Sequence, residues 1–222
     1  MRARQPVRIV TLSRDYGSGG GEIAHIVGQA LGWRVIDRAL IETVAQRVHA
    51  PREELEPLDE HVGGIVERIA GVFARGTPEA PIMGAFPDPD TVAALERAVL
   101  KDALNELPFV LVGHGGQCVF SDRADALHVR IVAPVGQRIR AVAARKGLEL
   151  QAAARETERH DAERRRYMKH HFGCDANYPG LYHLQLSTGF LTIEQAAEMI
   201  LQVVAWREVA APEPQPPLTV AR

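Results

Sequence analysis

The sequence has little cysteine, little net charge and no long apolar run, and each shortage excludes a class of protein. Its 222 residues include two cysteines, Cys118 and Cys174, whose wide separation fits neither a metal motif nor a disulfide framework. The 26 basic and 28 acidic residues give a formal charge of −2, whereas general nucleic-acid binders carry a strong basic excess. No apolar run approaches the ~20 residues of a membrane span, and the N-terminal residues lack a signal-peptide core. We therefore expect a soluble cytoplasmic protein that binds neither nucleic acid nor membrane.

A glycine-rich loop near the N-terminus lies between two segments of different periodicity. Residues 7–12 form a short apolar, β-branched run, which predicts a strand buried on both faces. After the loop, apolar residues recur at the spacing of one helical face, at Ile23, Ile26, Val27, Ala30 and Leu31. A helix N-terminus offers unpaired N–H groups and a positive dipole, so this arrangement predicts an anion site. A tight glycine turn between a core strand and a core helix, with no ligand, is the alternative.

The loop lacks the lysine of the usual phosphate-binding loop, G-x-x-x-x-G-K-S/T. In "SRDYGSGGGE", Gly20 stands at the lysine position, Gly21 at the hydroxyl position and Arg14 at the first glycine. Arg14 is the only Lys or Arg from residue 13 to residue 31, and we predict that it performs the electrostatic task of the lysine. The alternative is that Arg14 pairs with Asp15 or another carboxylate and only fixes the turn.

The rest of the chain alternates predicted strands and helices. Strands are expected at residues 33–37, 109–113, 127–133 and 182–187, a long basic helix at about 150–171, and further helices within residues 38–73. A Thr192–Gln195 capping box begins the last helix. Proline and glycine predict a loop at residues 75–90, and a proline-rich composition predicts a disordered tail at residues 210–222. This alternation predicts one α/β domain, residues 1–209, with a parallel sheet, helices on both faces and ligands at the carboxyl ends of the strands.

Four segments, in order and spacing, resemble the cytidylate kinase-like family of P-loop nucleoside monophosphate kinase relatives. They are "TLSRDYGSGGGEIA", "LGWRVIDRALI", "LVGHGGQCVF" with "HVRIVAPVGQRI" behind it, and "HDAERRRYMKHHFG" followed by "YHLQLST". The family often has S-R-x-x-G-S-G-G-R-x-I in its loop, so a missing lysine is normal for it. The resemblance covers roughly residues 7–205. It implies a three-layer P-loop kinase fold with a five-stranded parallel sheet and a helical lid at about residues 148–172.

The resemblance also implies a role for each matching residue. ATP would bind at the loop, with its phosphates held by Ser13, Gly17, Ser18, Gly19, Gly20 and Gly21. Arg14 from the loop and Arg164 from the lid would be catalytic, because arginine binds phosphate oxygens in pairs. A nucleoside monophosphate would be bound by Asp37, Arg38, His114, Arg138 and Asp161. No protein site for a metal is expected, so Mg²⁺ would arrive with ATP.

Several of these residues have an alternative interpretation. The basic residues of the lid helix are balanced by acidic neighbours, so without the resemblance a solvated helix face is the favoured interpretation. Asp37 is almost as well placed to cap the helix after it. His114 is interpreted either as a phosphate ligand or as a neutral hydrogen-bonding residue.

The sequence departs from the family pattern at two positions. Gly21 and His114 stand where the family commonly has arginine, so two positive charges are missing near the expected phosphates. Two functions are therefore compatible with the sequence. One is an ATP-dependent transfer of the γ-phosphoryl group to CMP or a related nucleotide. The other is a catalytically weak nucleotide-binding sensor or partner-binding module of the same fold.

Overall fold

The computed structural model describes residues 5–40 and 99–208 of the chain. Three predicted segments lie outside these ranges: the loop at residues 75–90, most of the helices within residues 38–73, and the tail at residues 210–222. The helices bounded within the described residues are α1 (Gly20–Leu31), α2 (Gly116–Val119), α3 (Val135–Lys146), α4 (Leu150–Phe172) and α5 (Ile193–Glu208).

Five parallel strands form one sheet in the order β2-β3-β1-β4-β5. They are β1 (Ile9–Arg14), β2 (Arg34–Ile36), β3 (Phe109–Val112), β4 (Ala126–Val132) and β5 (Leu184–Ser187). This confirms the predicted five-stranded parallel sheet. β1 is the central strand, so the glycine loop that follows it emerges from the middle of the carboxyl edge.

One face of the sheet is apolar and is covered by α1 and α5. Val10 and Leu12, alternate residues of β1, are fully buried on this face, together with Val129 and Ile131 of β4. The last helix begins as predicted: the N–H of Thr192 donates to Gln195 Oε1 at 3.0 Å, and the N–H of Gln195 donates to Thr192 Oγ1 at 3.2 Å. This apolar layer fixes the start of α1 against the sheet.

The opposite face is apolar only in its amino-terminal half. Ile9 packs there with a second apolar cluster. Further along the same face, β1 carries Thr11 and Ser13, which lie opposite His128 and Arg130 of β4. All four polar residues are buried. We call these four residues the polar face. Because burying polar groups is costly unless they are bonded, the polar face marks the carboxyl half of this surface as something other than core.

Helices α3 and α4 form a separate layer beside the glycine loop. A small apolar cluster of Val142, Ala143 and Ala153 holds them together. Each helix ends at a glycine in the left-handed conformation, Gly147 with φ 64° and Gly173 with φ 66°. The predicted lid at residues 148–172 therefore corresponds to α4. Among the described residues, no helix has the length and apolar character to cross a bilayer.

Candidate functional site

The glycine loop connects β1 to α1 and leaves the first turn of the helix open. Gly17 and Gly19 adopt positive φ angles of 82° and 79°, which glycine reaches without strain. The first intrahelical bond runs from the N–H of Ile23 to the carbonyl oxygen of Gly19. The N–H groups of residues 20–22 therefore have no acceptor within the helix. Together with the helix dipole, they make an anion-binding position at the centre of the sheet edge.

The hydroxyl of Ser18 shapes the loop rather than facing its opening. Ser18 is buried and its Oγ donates to the carbonyl oxygen of Asp15 at 2.8 Å. Its own carbonyl oxygen accepts a 2.9 Å bond from Thr188 Oγ1, which ties the loop to the end of β5. Gly21 stands at the position that usually carries a metal-binding hydroxyl, so that position supplies no side-chain ligand for magnesium.

Arg14 passes through space that two glycines leave open. A Cβ at Gly20 would lie 2.5 Å from the Cβ of Arg14, and a Cβ at Gly113 would overlap with its Nη1. Any side chain at position 20, lysine included, would therefore displace Arg14. Burial lowers the pKa of Arg14, and the positive charge of Arg164 lowers it further. The guanidinium thus extends from the glycine loop toward the turn after β3, close enough to Arg164 to feel its charge.

Asp15 is bonded by two arginines from different elements, neither of which is Arg14. Arg164 of α4 donates to Asp15 Oδ1 at 2.9 Å, and Arg130 of β4 donates to the same oxygen at 3.3 Å. Arg164 also donates to Ser13 Oγ at 3.2 Å. The long helix therefore places a guanidinium directly on the glycine loop, and Arg164 does not lie on a solvated helix face.

The cluster around Asp15 carries more guanidinium than carboxylate. The Nε–H groups of Arg130 and Arg164 are buried without any hydrogen-bond acceptor. An unsatisfied buried donor costs about 1–3 kcal/mol, and more when it is charged. We call Arg14, Arg130 and Arg164 the arginine cluster. Its spare donors and its excess charge suit a multiply charged anion beside the open N–H groups of α1.

Arg138 and Asp161 form an ion pair that holds the backbone of the loop. Arg138 Nη1 lies 2.7 Å from Asp161 Oδ2 and also donates to the carbonyl oxygen of Tyr16 at 3.0 Å. The N–H of Tyr16 donates to Asp161 Oδ1 at 3.1 Å. Both backbone groups of Tyr16 are thus fixed by the pair. The contacts of these two residues within the described structure are structural, and their predicted binding of an acceptor stays a prediction.

The side chain of Tyr16 joins the loop to α3 and α4. Its ring stacks on His160 with centroids 4.1 Å apart, and the guanidinium of Arg145 lies 5.4 Å from the ring centroid. Its hydroxyl donates to Glu156 at 3.1 Å. The loop and α4 therefore meet through aromatic packing, through the ion pair of Asp15 with Arg164, and through the bond from the N–H of Tyr16 to Asp161.

Three predicted acceptor residues lie at the ends of β2 and β3. Asp37 Oδ1 accepts from the N–H of Leu40 at 2.9 Å, so it caps the helix after it, as one of the two interpretations holds. The charges of Asp37 and Arg38 both act on Arg14. His114 adopts φ 52° between two glycines of the turn after β3, a conformation that few non-glycine residues take. All three therefore border the arginine cluster, and their binding of a substrate stays a prediction.

Sequence reasoning missed Arg130 and its neighbours. Arg130 donates to Asn177 Oδ1 at 2.8 Å and lies 5.8 Å from the ring centroid of Tyr182. Tyr182 in turn donates to Ser13 Oγ at 3.4 Å. The pattern "HVR" inside an otherwise apolar strand could have revealed Arg130, because two polar residues at alternate positions share one face of a buried sheet.

A stacked histidine pair completes the polar face. His128 Nδ1 lies 2.8 Å from Thr11 Oγ1, and the His128 ring stacks on His183 with centroids 4.8 Å apart. The N–H of His128 donates to His183 Nδ1 at 3.0 Å, so neutral His183 carries its ring proton on Nε2. Burial, followed by the charge of His183, lowers the pKa of His128 to about 4. His128 is therefore neutral at physiological pH.

Comparison with known sequences finds a family model and individual enzymes that agree with each other. A family model described as the cytidylate kinase-like family matches residues 9–189. The cytidylate kinase of Aeropyrum pernix is 29% identical over 118 residues, which are 53% of this chain and 67% of that enzyme. The cytidylate kinase of Desulfurococcus amylolyticus is 29% identical over 121 residues, 54% of this chain and 64% of that enzyme. The matches thus span about two thirds of the length of these two relatives.

Solved structures share the fold at low sequence identity. An uncharacterized protein from Eubacterium ventriosum has a TM-score of 0.66 at 19% identity, with 91% of this chain and 99% of that chain covered. Shikimate kinase from Bacteroides thetaiotaomicron has a TM-score of 0.50 at 14% identity, covering 89% and 98%. At these identities the likeness concerns the fold alone.

Proposed function

Because the chain belongs to the cytidylate kinase-like family, whose model matches residues 9–189, we propose that it transfers the γ-phosphoryl group of ATP to a nucleoside monophosphate, with CMP as the favoured acceptor. The two similar enzymes are both cytidylate kinases, which is why CMP comes first. ATP and nucleoside monophosphates are cytoplasmic metabolites, so the cytoplasm is the proposed location.

One observation carries this proposal: a guanidinium from the long helix reaches the glycine loop. Arg164 donates to both Ser13 and Asp15, residues that flank the open start of α1. In phosphoryl transfer the protein stabilises charge and aligns the reactants, and does little covalent chemistry itself. We propose that α4 moves during turnover and brings this arginine to the phosphates, which suits that task.

The donor phosphates are proposed to lie on the N–H groups of residues 19–22. Phosphate oxygens would accept hydrogen bonds from these groups and from the arginine cluster, in which the Nε–H groups of Arg130 and Arg164 have spare donor capacity. Arg14 would then supply the charge that lysine supplies in the usual loop, and Arg164 would contact the phosphoryl group as it moves. Mg²⁺ bound to ATP would neutralise part of the phosphate charge, and it would be carried by the nucleotide because Gly21 replaces the hydroxyl residue that usually binds it.

The acceptor is proposed to bind beside the polar face, at the carboxyl ends of β2, β3 and β4. Asp37, Arg38 and His114 border this position from one side, and Arg130 from the other. A monophosphate carries two negative charges near neutral pH, which matches the excess of guanidinium groups there. The polar groups of a pyrimidine ring would form hydrogen bonds with this face, which an apolar surface would not offer.

A coupled assay of ADP release across nucleoside monophosphates tests the proposal. With ATP and Mg²⁺, CMP is expected to give the fastest turnover among CMP, UMP, AMP and GMP, with shikimate as a non-nucleotide control. Arg164→Ala should lower kcat about 10–150-fold, the equivalent of the 1.5–3 kcal/mol of a charged hydrogen bond, with little change in ATP affinity.

Arg165→Ala is the matched control, because Arg165 is an exposed neighbour on the same helix, and it should retain full activity. Equal activity in the Arg164 variant would contradict the role of the lid. If ATP raises the melting temperature but no acceptor releases ADP, the protein is a nucleotide-binding sensor instead, and the transfer activity is excluded.

A further inference from the structure

The two cysteines of the chain, 56 residues apart in sequence, meet where the lid helix ends. Cys118 lies on α2, just after the turn that contains His114, and Cys174 follows the last residue of α4 by two positions. Their Sγ atoms are 3.2 Å apart, with the Cys118 thiol donating to Cys174. The Cys174 thiol donates onward to the carbonyl oxygen of Phe172 at 3.2 Å. Both are free thiols in the described structure and neither is fully buried.

From this geometry we propose that Cys118 and Cys174 are a reversible redox modification site, in which a peroxide oxidises the two thiols to a disulfide that fastens the end of the lid helix to the turn after β3. The disulfide forms when the sulfur atoms approach by about 1.2 Å, to the ~2.05 Å of an S–S bond. Partial exposure gives a small oxidant access to the pair.

The chemistry of the step balances with hydrogen peroxide as the oxidant. The thiolate of Cys174 attacks one peroxide oxygen, the O–O bond breaks, and the other oxygen leaves as water, which gives a sulfenic acid on Cys174. The sulfur of Cys118 then attacks the Cys174 sulfur, the S–O bond breaks, and a second water leaves with the thiol proton. Two thiols and one peroxide give one disulfide and two waters, and a dithiol reductant reverses the reaction.

The two cysteines lie where the end of α4 packs against the turn after β3. The ring of Phe172 fills the space where a Cβ at Gly115 would lie, so the helix end is already seated on the turn. Gly173 separates Phe172 from Cys174 and has a left-handed backbone, φ 66°. In the reduced state this junction consists of packing and weak thiol hydrogen bonds. A disulfide would make it covalent, on the same helix that carries Arg164.

The burial of Cys118 predicts how oxidation of the pair depends on pH. Burial, together with the neighbouring Cys174, raises the pKa of Cys118 to about 12. Because thiolates are the reactive form, oxidation of the pair should be slow near neutral pH and faster at higher pH. Such a pair responds to sustained oxidant rather than to brief exposure.

Thiol counting by mass spectrometry tests the modification directly. The full chain is treated with hydrogen peroxide, denatured, alkylated with iodoacetamide and weighed intact. Oxidised wild type should lose two hydrogens and take up no alkyl group, and dithiothreitol should restore uptake of two. Peptide mapping should find the 118–174 link within one chain, and the melting temperature should rise on the order of 5–10 °C on oxidation. Cys118→Ser should stop at a sulfenic acid that dimedone traps on Cys174.

Two results would overturn the proposal: two alkylatable thiols after prolonged peroxide, or disulfides that form only between chains. The consequence for catalysis rests on the proposed function, in which α4 moves during turnover. Oxidised wild type should then lose ADP-release activity and recover it with dithiothreitol, whereas Cys174→Ser should be insensitive to peroxide. Full activity of a mapped disulfide form would show that the link forms without restraining the lid. Absence of activity in the reduced protein as well would count against the proposed function and not against the disulfide.

Discussion

Arg14, in the space that two glycines leave open, would allow this loop to hold phosphate without lysine. Gly20 removes the side chain that would normally carry the charge, and Arg14 crosses the space that Gly20 and Gly113 leave open. Asp15, the nearest carboxylate in sequence, bonds Arg130 and Arg164. Arg14 is thus not committed to fixing the turn through Asp15, and it remains the loop's candidate for contact with phosphate.

Arg14→Ala should therefore weaken ATP binding much more than adenosine binding. The expected loss for ATP is about 1.5–3 kcal/mol, the value of a charged hydrogen bond, because only ATP presents phosphate to the guanidinium. Calorimetric titration of both ligands into wild type and variant measures the difference. Arg140→Ala, an exposed arginine on α3, is the control and should bind both ligands as wild type does. An unchanged preference for ATP in Arg14→Ala would exclude arginine as the replacement for lysine.

At the scale of elements, β1 and β4 give the sheet two different faces. The apolar face needs only the usual strand and helix patterns, and it accounts for the packing of α1 and α5. The polar face places Thr11 opposite His128, and Ser13 opposite Arg130, in one register. The polar side chains of this register are satisfied because Thr11 bonds His128, Ser13 accepts from Tyr182, and Arg130 donates to Asp15 and Asn177.

His128 should make the stability of the protein depend on pH. Its pKa is about 4 in the folded state and about 6.5 when unfolded, so the unfolded chain binds a proton between these values and the folded chain does not. The free energy of unfolding should therefore fall as pH falls from 6.5 to 4, by roughly 3 kcal/mol in full.

Urea unfolding at pH 7, 6 and 5 measures this loss. His128→Asn retains a polar group near Thr11 and should flatten the pH dependence, whereas His170→Asn, at an exposed position on α4, should leave it as in wild type. A wild-type stability that is constant from pH 7 to pH 5 would contradict a buried neutral His128.

Features that depend on neighbours in sequence could be predicted, whereas features that depend on contacts between distant residues could not. The glycine loop, the strands and the Thr192–Gln195 cap depend on neighbours in sequence, and the pattern was sufficient. The strand predicted at 182–187 begins only at Leu184, because residues 179–181 form a 3₁₀ turn before it. Arg130 was not predicted because its partners, Asp15 and Asn177, are distant in sequence, although its alternation with His128 is a local signal. The contact between Cys118 and Cys174 joins residues that are 56 positions apart, and no local pattern in the sequence specifies it.

In the described part of the chain, the carboxyl ends of β1, β2, β3 and β4 and the helix α4 lie around one position. The anion site, the arginine cluster and the polar face are adjacent there, and each has a different part in the proposed transfer. The glycine loop would hold the donor, the cluster would stabilise the transferred group, and the polar face would receive the acceptor. The family supports a kinase, and the arrangement of charge supports a nucleotide as its acceptor.

Phosphorus NMR of the complete reaction observes directly whether the γ-phosphoryl group of ATP is transferred to CMP. ATP, Mg²⁺ and CMP are mixed with the reduced full-length protein, and the spectrum is followed with time. The CMP resonance should be replaced by the two resonances of CDP at the rate at which the γ-phosphorus resonance of ATP disappears. No inorganic phosphate should form. Arg14→Ala combined with Arg164→Ala should abolish the CDP signals. Unchanged ATP and CMP, or release of inorganic phosphate without CDP, would contradict the account.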